Sequence, residues 1–433
     1  MTAMEGERRA DSVWRNTDFV RLWLAGSISL FGSLVTRTAL PFAAILALGA
    51  GPIEIAFLRA LELLPGLMLG LFAGAWVDRL RRRPIMIVAD IGRAALLGSI
   101  PIAAVLNVLG MGQLYLVAFL AASLTTFFDV ADRAYLPTVI ERDQIVPANS
   151  ALTASASVAE FSAFGVSGFL IQLFSAPLAI AIDAVSFLVS ALFLGTIRRP
   201  EPARPPVAGR EPVLREIREG LRIVGGSPIL RALAGAGAAS HVLWGVFGAS
   251  YLLFASQDLG LGPAAIGVIA GLGGVGSFIG AILTGRSERR LGVGRTIVVG
   301  MLGLTIGSAL IPLAPEGALV LAATLLIVQQ LVGDSSATLF EITQVSLQQS
   351  IVEDRLLGRV GGSIRFFEDV FQLAGTIAAG VIAELLGLRA AMALGILGGL
   401  VAVAFLWFSP IPGLRTMPTR PATLRADELP LTE

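Results

Sequence analysis

The stretch GAWVDRLRRR at residues 74–83 ends an apolar run with one acid and four arginines inside six positions. An apolar segment that stops in such a cluster reads as a membrane span held at one surface, because loops on the cytoplasmic side carry the positive excess. A weaker copy, GAILTGRSERR, occupies residues 280–290, an offset of 206 positions. Asp129 and Asp334 repeat the interval at 205. Two concordant intervals point to a chain built from two parallel halves.

Outward from that landmark, the hydropathy pattern fills both halves. A helix needs ~20 apolar residues to cross hydrocarbon, and twelve such stretches are predicted. They cover about 19–47, 54–77, 85–107, 113–136, 148–174 and 177–197, then 229–256, 263–285, 296–314, 317–344, 361–385 and 388–409. We refer to them as spans 1 to 12. Composition agrees: of 433 residues 55% are hydrophobic and 15% charged, with a mean hydropathy of +0.80, outside the balance of soluble domains. Of the 32 basic residues, all Arg, 29 fall in the tails, the even-numbered loops or their flanks; Arg37, Arg59 and Arg389 do not. That asymmetry predicts an even number of spans, with both termini on the cytoplasmic side of the cell's inner membrane. The first 18 residues are hydrophilic and lead into a span too long, and too interrupted by Arg37, for a cleavable signal.

The expected fold class is therefore an all-α membrane protein of two pseudo-symmetric six-helix bundles, 19–197 and 229–409. A cytoplasmic N-tail (1–18), a linker (198–228) and a C-tail (410–433) complete it. Within the linker, Val213, Ile217, Leu221 and Val224 share one helical face, with Arg215, Arg218, Glu219 and Arg222 largely opposite. Such a helix either lies on the membrane surface or is a solvated connector. Gly271-x-Gly273-x-x-Gly276 spells a dinucleotide fingerprint, but it sits inside an apolar span with no βαβ context, so close helix packing is the expectation.

Missing residue types exclude whole chemistries. Cysteine and lysine are absent and histidine occurs once, at His241. Disulfides, thiolate nucleophiles, Cys- or His-rich metal sites, a P-loop lysine and a pyridoxal Schiff base are thereby excluded. No metal, no cofactor and no enzyme activity is expected.

Several elements, in order and at consistent depths, resemble the major facilitator superfamily. Gly74-x-x-x-Asp78-Arg79-x-x-Arg82-Arg83 is similar to its loop 2–3 signature. Further matches resemble the branch that includes the enterobactin exporter and macrolide efflux proteins. They are Asp18-Phe19-x-x-Leu22-Trp23-x-x-Gly26, Phe128-Asp129 with Leu136-Pro137, Ala148-Asn149, Asp183-Ala-x-Ser186-Phe187 and Gly358-Arg359-Val360. One departure is Phe164-Gly165-Val-Ser-Gly168, which stands where such exporters show a Gly-Pro-x-x-Gly-Gly-like element. The resemblance implies twelve helices in two bundles and a secondary transporter working by alternating access. It further implies proton-coupled efflux of an amphipathic small molecule such as a drug or siderophore, powered by the proton gradient without a cofactor. The partners expected are that solute and the bilayer, with no nucleic acid, and the chain is expected to be a monomer. A proton-coupled or facilitated metabolite importer and a nontransporting membrane receptor are the rival readings.

Ionisable residues within spans are expensive and each is a functional candidate. Glu160, mid-span 5, shares a face with Asn149, Thr153 and Ser157, which makes it the leading proton-coupling candidate. A structural pairing with Arg37, on the face of span 1 that holds Ser33, is the alternative. His241 is a further coupling candidate. Ser33, Ser157, Trp244, Tyr251 and Gln372 are candidates for lining a substrate cavity, although aromatics at helical spacing also serve packing. By the resemblance, Asp78, Arg79, Arg82 and Arg83 with Asp129 or Asp132 form a gating charge relay, against a plain stop signal. Asp334, Arg359 and Arg365 belong to the same inner gate. Asp183 reads as a structural hydrogen-bonding acid in preference to a proton site.

Overall fold

The computed structural model describes residues 13–77, 80–141, 144–199, 201 and 213–418. Asp78 and Arg79, most of the N-tail, part of the linker and the end of the C-tail lie outside the described residues. The helices are α1 (Thr17–Phe42), α2 (Pro52–Val77), α3 (Arg82–Val105), α4 (Met111–Val139), α5 (Ile145–Phe174) and α6 (Ala176–Thr196). They continue with α7 (Val213–Gly226), α8 (Pro228–Leu253), α9 (Pro263–Leu291), α10 (Val293–Ala309), α11 (Leu319–Ile351), α12 (Leu357–Leu386) and α13 (Leu388–Trp407). Among the described residues, ten helices are long and apolar enough to cross a membrane, and α10 is a shorter apolar one. The 26-residue α2 occupies the remaining predicted span.

The chain divides into two compact units, Met1–Ala208 with Ala255–Gly271, and Gly209–Phe254 with Leu272–Glu433. The sequence boundary at 229 therefore does not separate them fully. The start of α9 belongs with the first unit because Gly168 of α5 and Gly267 of α9 cross without side chains between them, a Cβ on Gly168 coming 3.0 Å from the Gly267 Cα. Gln172 secures the crossing by accepting the Ala264 amide at 3.1 Å.

Internally the two halves repeat one another. In the first, α1 packs on α5 and α6, and α3 on α4 and α6; in the second, α8 packs on α12 and α13, and α10 on α11 and α13. Both leading helices, α1 and α8, end in a single π-helical turn, Ala43–Ala47 and Phe254–Asp258. The reversals into α6 and α13 each turn on one residue of positive φ, Ser175 at 83° and Gly387 at 90°. Gly387 adopts this conformation freely, whereas Ser175 carries a Cβ that disfavours it. The π-helical turns and the positive-φ reversals recur 211 and 212 residues apart, a few more than the 205 and 206 of the sequence landmarks.

With hydrocarbon outside, helices gain little by burying apolar surface against one another, so close backbone contact matters more. On α9 a Cβ at Gly276 would lie 2.5 Å from the Gln330 carbonyl and 3.1 Å from that of Leu331 on α11. Ser335 donates across the same crossing to Gly276 O at 2.7 Å. The fingerprint-like glycines are packing residues.

The Arg-rich end of the first unit is stitched by polar contacts to helix ends. Asn16 caps α1 and donates to Val139 O at 3.0 Å. Asp18 pairs with Arg21 at 2.9 Å and accepts the amides of Arg198 and Arg199. Glu201 accepts the Arg82 amide at the start of α3. In the second unit α7 docks on α12: Gly220 sits against the Arg359 backbone and Glu219 pairs with the Arg359 guanidinium.

Gly276→Ala is expected to destabilise the chain by about 1–3 kcal/mol, as overpacking does. Gly26→Ala, with nothing within 4 Å of its Cβ position, is the control and should leave stability unchanged or slightly raised. Melting of the two purified variants checks the pair.

Candidate functional site

The first unit contains two separate charged groups. One is open: Glu160 halfway along α5, Arg37 on α1, and Arg59 with Glu62 on α2. Glu160, Ser157 and Thr153 are exposed along one stripe of α5, and Ser157 donates to Thr153 O at 3.1 Å. Arg59 pairs with Glu62 at 2.8 Å and also donates to the Arg37 carbonyl at 3.3 Å. The Arg37 guanidinium lies within electrostatic reach of Arg59, Glu62 and Glu160, yet among the described residues it makes no direct ion pair with Glu160. Ser33 is half-buried one turn below it.

The second group is enclosed, and the sequence reading did not isolate it. Asp90 and Arg93 on α3 are 0% and 2% exposed and ion-paired, and Asp183 on α6 is 1% exposed. The Arg93 guanidinium carbon lies 4.4 Å from the Phe128 ring centroid on α4 and 4.0 Å from that of Phe187 on α6. It donates to Thr125 Oγ1 at 3.3 Å. Arg93 lies within the helix, roughly three turns up α3 from the Arg-rich loop. The signal available was Asp90-x-x-Arg93, an i, i+3 pair inside an apolar span.

The described members of the expected charge relay are held in several local arrangements. Arg83 caps α6, donating to the carbonyls of Leu194 at 2.8 Å and Gly195 at 2.5 Å, where a cation also meets the negative helix end. Arg82 is buried and presents its amide to Glu201. Asp129 is exposed and Asp132 half-buried on α4, with Arg93 and Arg133 the cations near Asp129 and Arg133 the cation near Asp132. Asp78 and Arg79 lie outside the described residues. Arg359 is paired with Glu219, and Arg365 with Asp369 at 3.1 Å on its own helix.

In the second unit, His241 on α8 faces Glu368 on α12 across 4.0 Å. Its Nδ1 is 2.9 Å from the Gly237 carbonyl. A carbonyl only accepts, so Nδ1 carries the hydrogen and Nε2 is the nitrogen presented to the carboxylate. Gly237 lacks a side chain where Glu368 Oε1 would otherwise be blocked, a Cβ there lying 2.5 Å away. Trp244 is 38% exposed one turn further along, and Gln372 is half-buried on α12. Tyr251 buries its hydroxyl near Asp334, which is half-buried against Gly273 of α9. Polar and aromatic side chains thus rise along α8 and α12.

Comparison with known proteins settles the family. The Major Facilitator Superfamily profile matches residues 22–376. The chain belongs to this superfamily. Members similar to it include the uncharacterized MFS-type transporter YfiS of Bacillus subtilis, 27% identical over 391 residues, 88% of this chain and 90% of that one. Macrolide efflux protein A of Streptococcus pyogenes is 23% identical over 376 residues, covering 86% and 90%. Among solved structures, the nucleoside transporter NupG superposes with a TM-score of 0.70 at 12% identity, covering 90% of this chain and 97% of its own. A bacterial homologue of the iron transporter ferroportin gives 0.69 at 16% identity, covering 90% and 98%. At such identities the superpositions establish the superfamily fold of twelve helices in two bundles.

Nitrogen NMR of His241, the single histidine, is expected to show a protonated Nδ1 in the resting chain. A resonance pattern with hydrogen on Nε2 alone would contradict the bond to Gly237.

Proposed function

We propose that this superfamily member is a proton-coupled secondary transporter that works by alternating access and exports an amphipathic, uncharged or mildly cationic small molecule. The observation that carries the coupling is Glu160: a carboxyl at the midpoint of a spanning helix, open on a polar stripe and lacking a direct cation partner among the described residues. A carboxylate at that depth is costly, and a proton is the partner that neutralises it and can leave again. Arg37, Arg59 and Glu62 set the field around it. Export takes its support from the likeness to macrolide efflux protein A. The exposed Trp244 and the polar run of α8 and α12 suit a bulky solute with few charges. The His241–Glu368 pair is a second place where a proton can be exchanged.

The driving force suffices. One charge moved through 100 mV provides ~2.3 kcal/mol, and each ~1.4 kcal/mol is tenfold in concentration, so roughly 40-fold accumulation per proton is allowed. In this reading the chain works as a monomer in the inner membrane with both termini cytoplasmic, and needs no cofactor.

The test is proton movement in reconstituted vesicles holding an imposed pH gradient, scanned across macrolides, cationic dyes and catecholate siderophores. One class should trigger proton leak, and Glu160→Gln should abolish it while sparing facilitated exchange. Full pH-dependent transport in Glu160→Gln would remove Glu160 from coupling. Binding of a compound without any flux would turn the reading toward a receptor.

A further inference from the structure

We propose that Asp90, Arg93 and Asp183, enclosed in the first bundle, form a one-proton binding site in which Asp90 is ion-paired with Arg93 and Asp183 holds the proton. What the proton is used for depends on the transporter reading above; whether it is bound does not.

Charge balance makes the case. The enclosed cluster holds two carboxyls and one guanidinium, all at most 2% exposed. Arg93 is committed to Asp90, to Thr125 and to the two aromatic faces. Asp90 Oδ2 and Asp183 Oδ2 are buried without a hydrogen-bond partner among the described residues. An isolated buried carboxylate is among the costliest groups a fold can hold, and neutralisation is its usual outcome. Other elements do not supply the missing cation. From α4, Asp129 and Asp132 face the cluster together with Arg133, two further acids for one further base. Among the described residues, α1 brings the Thr36 hydroxyl beside Asp183 and the backbone of Gly32, and α6 brings Ser186 beside Asp183 and Ser190 beside Asp90, all of them neutral. A metal cation would be repelled by Arg93, so the proton is the ligand that fits.

Hydrogen-bond geometry is consistent with that balance. Ser186 Oγ lies 2.8 Å from the main-chain carbonyl of Asp183 and 3.0 Å from its Oδ1. Ser186 Oγ is the donor in both contacts, and a hydroxyl has one hydrogen, so the two oxygens share it. Ser186 therefore supplies Asp183 with at most one shared, neutral donor, and Asp183 Oδ2 has no hydrogen-bond partner among the described residues. Gly32 makes the arrangement possible, since a Cβ there would overlap both Ser186 Oγ and Asp183 Oδ1. The protonated acid is thus seated directly against α1, the helix that carries Arg37, where a change of charge would be felt by the open cluster's own element.

The test counts protonated carboxyls by the infrared C=O stretch of the full chain in lipid nanodiscs, with deuterium exchange to assign it. Relative to the wild type, Asp183→Asn should lose one protonated acid. Asp90→Asn should also lose one, because Asp183 then ionises to pair with Arg93. Arg93→Gln should gain one, because both acids then need protons. An Asp183→Asn spectrum superimposable on the wild type would overturn the site, as would an unchanged acid count in Asp90→Asn. Should Arg93→Gln not fold, the two isosteric Asn variants still decide. Proton-driven transport measured on the same samples separates a chain that holds this proton without using it from one that lacks the site.

Discussion

Hydrocarbon offers a charge no counter-ion and no water, so each charged group inside this protein has to be neutralised by the fold. Arg93 shows how much depends on that constraint. Its guanidinium binds Asp90 on its own helix and is held between Phe128 of α4 and Phe187 of α6. Cation–π contacts of this kind are worth on the order of 2 kcal/mol when desolvated. The registers of α3, α4 and α6 are therefore set by one side chain, and Asp183 is brought to the same place by α6. The same rule acts on open backbone carbonyls, which Arg83 satisfies at the end of α6 and Arg389 satisfies at Pro312 and Ala314 in the loop after α10.

Much of the fold was legible because hydropathy and arginine placement are direct consequences of the bilayer. Each predicted span coincides with a helix, and α10 is shorter than expected because the chain turns at Ala309 instead of 314. The glycine crossing at Gly276 could be read as packing from its apolar surroundings alone. Partners distant in sequence could not. Nothing near Arg359 announces Glu219, 140 positions away, and an arginine beside a span end does not reveal whether it binds an acid or, like Arg83, a row of carbonyls. Arg93 was hidden by proximity to the loop, although its acid three residues earlier marked it as internal.

The acids of the first bundle now fall into two kinds. Glu160 is open, on a polar stripe of α5. Asp183 is enclosed and meets α1 through Gly32. A carrier needs both a group that samples the aqueous path and an element whose packing responds, and α1 touches each of them. The superfamily fold supports many solutes on one architecture, so substrate is decided by side chains and not by the fold; in the transporter proposed above, Trp244, Gln372 and the His241–Glu368 pair are the candidates.

The central claim is that protonation shifts the balance between two arrangements of the halves. The chain contains no cysteine, so a single introduced pair can be labelled cleanly. Spin labels on Glu141→Cys, exposed after α4, and Asp354→Cys, exposed after α11, report the separation of those two ends by pulsed electron resonance in nanodiscs. The account predicts two distance populations whose ratio changes between mildly acidic and mildly alkaline conditions. A single population that ignores pH would contradict it.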